Sequence, residues 1–326
     1  MTPPAKAAHA TADIAVVIPT YQRAQPLARL LDELSNQSLP SERFEVLVVD
    51  DCSTDDTVAT VEELARKVPY RLRVFRTPKN HGPAAARNIG WQKSEASVVA
   101  FLDDDCTPSA GWLEAGLAAF RAQPRLGVLQ GATLLPVGAD TSVLNEWWVC
   151  RLVEAPTPWF EGCNLFISRP ALDVTGGFDE EIRYYGEDCA AGWRVLEAGF
   201  DRDFAPDAWV THPMENRGFG WYVQNGYVES RIVHCAAKHP GFRHEAFWRP
   251  WAFRKEDPAF VAALAGALIG LKYRPALLAA LPYLWWQRPS VRRISFFRLC
   301  LQVPAVDAAR IAGHLKGSIA HRIFVV

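Results

Sequence analysis

The sequence of 326 residues has no C-x-x-C pair, no G-x-G-x-x-G after its first apolar run and no G-x-x-x-x-G-K-[ST] anywhere. The missing glycine loops exclude the phosphate-binding turns of a Rossmann dehydrogenase and of a P-loop NTPase. Its seven cysteines, Cys52, Cys106, Cys150, Cys163, Cys189, Cys235 and Cys300, are scattered and odd in number. That pattern argues against a disulfide framework or a zinc knuckle and for a reducing compartment. No internal repeat is present, and Pro and Gly are not in excess. The stretch 1–13 lacks the apolar core of a signal peptide and reads as a short disordered lead-in.

What the chain does have is ample apolar material and unevenly placed charge. Hydrophobic residues make up 49%, enough for a substantial core in one large domain or two. The net charge of −1 conceals 15 Lys+Arg against 4 Asp+Glu from Arg231 to the end, which leaves 20 against 32 in the first 230 residues. The acidic part suits a metal. The basic part suits an anionic lipid surface, or is simply a solvated face. No recognition motif accompanies the basic charge, so nucleic acid is not an expected partner.

The first half alternates strands and helices. Ile14–Ile18, Glu45–Val49, Arg71–Phe75 and Ser97–Leu102 read as short apolar strands. Helical patterns follow at Leu27–Leu34, after Ser53–Asp56 and over Gly82–Trp91. This rhythm predicts a mostly parallel sheet covered on both faces. Beyond it, Gly162–Ser168 and Ala208–Thr211 read as strands and Gly186–Gly199 as a helix. In such sheets ligands gather where strand C-terminal ends meet their loops. Thr20, Asp50-Asp51 and Asp103-Asp104-Asp105 each lie just past a strand and are expected to converge on one edge.

Three consecutive aspartates repel one another, and a hard cation such as Mg²⁺ or Mn²⁺ removes the problem while sharing phosphate oxygens. A solvated turn or helix cap is the plainer alternative. Asp51 can accept the imide N–H of uracil or a ribose hydroxyl, or it can close an Asx turn. An EF-hand reading of this loop fails for want of its glycine and its twelfth-position Glu. Arg87 and Asn88, in Gly82–Asn88, can lie near a phosphate or base. Glu187-Asp188 opens a helix, where the dipole stabilises carboxylates; one of them can also serve as a general base toward a hydroxyl.

Six stretches carry a family resemblance: VVIPTYQRAQPL, VLVVDDCSTDDT, GPAAARNIG, FLDDDCTP, GCNLFISRPALDVTGGFDE and GEDCAAGWRVLEAGF. Each is degenerate alone, but their order from Val16 to Phe200 resembles glycosyltransferase family 2. The resemblance implies a GT-A fold, Rossmann-like and mostly parallel, over 14–220, with a helical, basic, apolar extension over 221–326. It implies inverting transfer from a nucleoside-diphosphate sugar with Mg²⁺ or Mn²⁺. Pro19, Thr20, Tyr21, Arg23 and Asp51 match donor-binding positions, as do Arg87, Asn88, Asp103 and Asp104. Asp105, with Asp103 and His212, matches the metal site. Asp188 matches the catalytic base. Gly162, Cys163, Asn164 and Glu187 match the segment beside the donor sugar and acceptor. A nucleotidyltransferase and an inactive, transferase-like binding subunit remain as alternatives.

The resemblance ends before the last hundred residues. Pro258–Leu271 and Pro275–Gln287 are apolar runs too short to span a bilayer. A pair of core helices is one reading. The other is a membrane-surface hairpin, because Trp248, Trp251, Trp285, Trp286, Phe296 and Phe297 interleave with Arg249, Arg254, Arg288, Arg292, Arg293 and Arg298. On that reading the protein is cytoplasmic, peripheral on an anionic membrane, and takes a saccharide or lipid-linked acceptor in cell-envelope synthesis.

Overall fold

The computed structural model describes residues 12–143, 147–182, 185–228, 230–287 and 301–326. Of the lead-in only Ala12 and Asp13 are described, and Arg288, Arg292, Arg293, Phe296, Phe297 and Arg298 lie outside the described residues. The chain divides into two compact units. One comprises residues 1–137 and 151–213, the other 138–150 and 214–326.

The first unit is built on a mixed eight-stranded sheet. Its strands are β1 (Ile14–Thr20), β2 (Phe44–Asp50), β3 (Arg71–Arg76), β4 (Val98–Leu102), β5 (Thr107–Pro108) and β6 (Leu126–Leu134), then β8 (Asn164–Ser168) and β9 (Asp201–Thr211). The two-residue β7 (Trp148–Val149) belongs to the second unit, where it pairs with β10 (Glu215–Asn216). The order across the sheet is β3-β2-β1-β4-β8-β6-β9-β5. β1 to β4 run parallel, β8 is antiparallel to both its neighbours, and β6 and β9 are parallel again. β2 and β4 are buried at every residue, as strands covered on both faces must be. The helices of this unit are α1 (Ala24–Glu33), α2 (Thr57–Leu64), α3 (Pro83–Gln92), α4 (Trp112–Ala122), α5 (Arg169–Thr175) and α6 (Glu187–Glu197). α1 buries Leu27, Leu30 and Leu31, an apolar stripe at helical spacing.

The site opens where two central strands stop pairing. β1 and β4 are in register only from Ile14–Val98 to Val17–Phe101, yet both run on, to Thr20 and Leu102. Pro19 sits in that unpaired stretch, so on the β4 side its missing N–H costs no ladder bond.

The second unit is helical: α7 (Gly218–Val228), α8 (Ser230–Lys238), α9 (Pro240–Ala246), α10 (Glu256–Gly270), α11 (Leu281–Trp286) and α12 (Val303–His321). α12 packs against α7 and α8. A small core gathers Ala252, Phe260, Tyr283, Ile311 and Val326. Of the stretch 258–287, Phe260 and Tyr283 enter this core while much of the remaining apolar surface does not. Leu264, Leu268, Leu271, Leu278, Trp285 and Trp286 are all exposed. Among the described residues no helix is long and apolar enough to cross a membrane.

Candidate active site

The loops after β1, β2 and β4 meet as expected. Asp51 donates its backbone N–H to the Thr20 carbonyl at 2.8 Å. The Thr20 hydroxyl donates to Asp104 Oδ2 at 2.7 Å in a buried contact. Arg23 lies 3.8 Å from Asp104 and 3.3 Å from Asp105. Tyr21 is exposed, its hydroxyl accepting from Gln22 Nε2. Gln22 and Cys52 hold positive φ angles of 53° and 68° just past β1 and β2. Backbone strain in non-glycine residues concentrates at functional edges of this kind.

Each aspartate of the run has different surroundings. Asp103 receives the Arg87 guanidinium at 3.0 Å. Burial pushes its pKa up, but the charges of Arg87, Arg151 and His212 outweigh burial and hold it below the ordinary value. Asp104 is driven up to about 7, mainly by burial, with Asp105 and Asp103 adding and Thr20 and Arg23 opposing. Asp105 Oδ1 faces His212 Nε2 at 3.6 Å. His212 Nδ1 is 2.9 Å from the Pro213 carbonyl, a contact that orients the ring with Nε2 toward the carboxylate. A carboxylate oxygen and an imidazole nitrogen so placed are the kinds of atom that can share a divalent cation. Ligand atoms of Asp105, Cys106 and His212 lie within 4.8 Å of one another. The Cys106 thiol, however, donates to the Cys163 carbonyl, and contact with Cys163 together with burial raises its pKa well above the usual thiol value. The carboxylate and imidazole of Asp105 and His212 offer the oxygen and nitrogen atoms that suit Mn²⁺ or Mg²⁺.

One buried arginine ties this cluster to the start of α6. Arg87 bonds Asp103 through Nη2 at 3.0 Å and Glu187 through Nη1 at 2.9 Å, and its guanidinium stacks 5.4 Å from the Phe178 ring centre. Glu187 is buried; burial first, and the Asp188 charge second, raise its pKa to about 7 against the opposing pull of Arg87. Asp188 is only half-buried. Its Oδ2 accepts the Gly162 N–H at 2.7 Å and its Oδ1 the Cys189 N–H at 2.8 Å. Asp188 is thus aimed and reachable, while Glu187 is locked.

Four of the expected contact residues have side chains engaged by other parts of the protein. Asn164 is buried, its Oδ1 accepting from Trp112 Nε1 at 2.8 Å and its Nδ2 donating to the Ala132 and Ala208 carbonyls at 2.8 and 2.9 Å. Its amide is filled by protein partners and joins β8 to β6 and β9. The Cys163 side chain lies in the apolar core. Asn88 binds the Phe178 backbone through both amide atoms and also meets Glu180 and Trp91, so it pins the Gly176–Glu180 turn. Asp51 accepts from Thr77 Oγ1 and from the His81 and Gly82 amides, which folds the loop ahead of α3. Ser53 Oγ accepts from the Gln22 N–H, and α2 begins at Thr57. Two groups were not legible beforehand. Arg151 acts on Asp103 by charge, and Glu161 is raised by burial while bonding Gln130 and Thr157.

A mixed sheet with this strand order, acidic loop cluster and helix-borne carboxylate pair defines a GT-A glycosyltransferase fold. The chain belongs to glycosyl transferase family 2, whose family description matches residues 15–178, half of the sequence. It is 29% identical over 254 residues to a pre-mycofactocin glycosyltransferase of Mycobacterium tuberculosis, covering 73% of this chain and 50% of that protein. It is 30% identical over 277 residues to a validoxylamine A glucosyltransferase of Streptomyces hygroscopicus, covering 72% of this chain and 63% of the other. The chain therefore spans about half to two-thirds the length of these relatives. Among solved structures, a mannosyltransferase from Pyrobaculum calidifontis in complex with GDP-Man and Mn²⁺ superposes with a TM-score of 0.60 at 20% identity, over 94% of this chain and 87% of that one.

Proposed function

We propose that this protein is a metal-dependent, inverting glycosyltransferase. It moves a sugar from a nucleoside-diphosphate sugar to a hydroxyl of a saccharide or lipid-linked acceptor. The acceptor belongs to cell-envelope polysaccharide or glycolipid synthesis, at the cytoplasmic face of an anionic membrane. The observation that carries the reading is the pairing of two sites by one guanidinium: a hard-cation donor set on one side of Arg87, an aimed carboxylate at the head of α6 on the other.

Asp105 and His212, with Asp103 beside them, would hold Mg²⁺ or Mn²⁺. When bound, such an ion neutralises diphosphate charge that grows as the leaving group departs. The chain's own groups do the rest. Thr20, Asp51 and the exposed Tyr21 bound the nucleoside. Arg23 sets a positive charge beside Asp104 and Asp105, where donor phosphates approach. Asp188 takes the proton of the acceptor hydroxyl as that oxygen bonds the anomeric carbon and the carbon–phosphate-oxygen bond breaks on the opposite side. The Gly162 and Cys189 amides hold the Asp188 carboxylate in its direction, so no reorganisation is needed at the moment of transfer.

A nucleotidyltransferase would release pyrophosphate from a nucleoside triphosphate; this enzyme is expected to transfer a radiolabelled sugar and release a nucleoside diphosphate. Pyrophosphate release without sugar transfer would overturn the assignment.

A further inference from the structure

The proposed membrane location says nothing of how the protein holds on. The second unit offers a specific device. From Pro258 to Val306 the sequence has six Lys and Arg residues and no Asp or Glu. α10 contains no charged residue after Asp257, and it is apolar all round. A helix of this kind is buried in a large core or lies in lipid. Here one side packs inward through Phe260. The other leaves Leu264, Leu268 and Leu271 in the open, with Leu268 71% and Leu271 85% exposed.

The chain then turns back on itself as a hairpin. The 3-10 turn Arg274–Ala280 packs on α10 so closely that a Cβ on Gly266 would lie 2.5 Å from the Ala276 carbonyl oxygen, and one on Gly270 2.5 Å from Leu277 Cδ2. The returning limb exposes Leu278, Trp285 and Trp286. Polar bonds fix the base. Tyr283 donates to Asp307 at 2.5 Å, and Arg310 bridges Asp257 at 2.6 Å and Asp307 at 2.9 Å. Lys255 sits 4.2 Å from the Trp286 ring centre, and Lys272 and Arg274 are exposed where the limbs join.

We infer that the hairpin from Glu256 to Trp286 is an apolar wedge that enters one leaflet of an anionic bilayer, and that this insertion, beyond surface charge, anchors the enzyme. The inference rests on the proposed membrane docking and adds its mode. Fifteen helical residues of α10 measure about 22 Å, short of the ~30 Å hydrocarbon core, so the wedge does not span. The aromatic residues and basic groups match the two layers of a lipid interface, indole at the headgroup level and cation at phosphate. A second copy of this chain is the poorer occupant, because between Pro258 and Trp286 the hairpin carries Lys272 and Arg274 and no acidic residue to pair with them.

The test uses the full chain with vesicles of roughly 30% phosphatidylglycerol in phosphatidylcholine. Wild type is expected to sediment with them at about 0.1 M and still at about 0.5 M NaCl, where surface charge is screened. Leu268→Glu with Leu278→Glu, both at exposed positions, is expected to reduce binding at the higher salt about tenfold or more with an unchanged circular dichroism spectrum. If wild type binds at low salt but is released at high salt as fully as the variant, docking is electrostatic and the wedge is wrong. If wild type stays in the supernatant at low salt, the docking itself is wrong. A dimer in vesicle-free solution that the double variant dissociates would assign the face to a second copy and overturn the wedge.

Discussion

Glu187 and Asp188 are neighbours in sequence with opposite surroundings, and this difference separates scaffold from chemistry. Glu187 is buried, bonded to Arg87 and to the Tyr185 N–H; Asp188 is half-open and held by two backbone amides. Asp188→Asn keeps the side chain's shape and one of its two backbone bonds but removes the basic oxygen, so it is expected to lower kcat by about 10² to 10⁴ with donor affinity unchanged. Unchanged turnover with a raised donor KM would make Asp188 a donor ligand instead. Asp105→Ala and His212→Ala are each expected to abolish the Mn²⁺-dependent part of nucleoside-diphosphate binding in titration calorimetry. Binding that remains fully Mn²⁺-dependent in both would remove them from the metal site. The acidic groups were legible because carboxylates directly after apolar strands have few cheap explanations. The inward turn of the Cys163 and Asn164 side chains was not, because a motif marks a position in the chain and not which way a side chain turns. Arg151 stood alone in a stretch without periodicity and gave no signal.

At the scale of elements, β1 to β4 and their helices could be read from alternating apolar runs and helical stripes. β6, α4 and most of β9 could not. β6 carries Gly127 and Gly131, and Gly131 exists for a close approach: a Cβ there would lie 2.2 Å from the Ala208 carbonyl oxygen and 2.3 Å from Asn164 Nδ2. β9 begins Asp-Arg-Asp and contains Pro206, and its pairing with β6 shifts register twice, which hides the strand period. Asn164 sits at this junction. Asn164→Ala would orphan the Trp112 N–H and two carbonyls, each costing about 1–3 kcal/mol when buried. A marked loss of melting temperature is expected; an unaltered melting temperature with a selectively raised donor KM would show that Asn164 acts on the donor instead. In α12, His314 is fully buried, and burial lowers its pKa to about 4, with Arg310 and Arg254 adding and Asp257 opposing. The unfolded chain binds a proton near pH 6.5 and the folded chain does not until about pH 4. Stability should therefore fall as pH drops through that window, by up to about 3 kcal/mol. His314→Gln should flatten that part of the melting-temperature profile; an identical slope in the variant would place the titration elsewhere.

Across the whole molecule, charge and chemistry are divided along the chain. The first 230 residues hold 32 of the 36 acidic groups, and the remainder holds 15 of the 35 basic ones. The carboxylates that would hold a cation and take a proton all lie in the first unit, and the exposed apolar hairpin lies in the second. The central claim is sugar transfer from a metal-held nucleotide donor with Asp188 as base. Its most direct measurement is nucleoside diphosphate released from a panel of nucleotide sugars, with and without acceptor, by wild type and Asp188→Asn in Mn²⁺ and in excess EDTA. Expected is release by wild type with at least one donor that rises on adding acceptor, falls about 10² to 10⁴ in Asp188→Asn and vanishes in EDTA. Release at the full rate in EDTA, or equal release by both proteins, would contradict it.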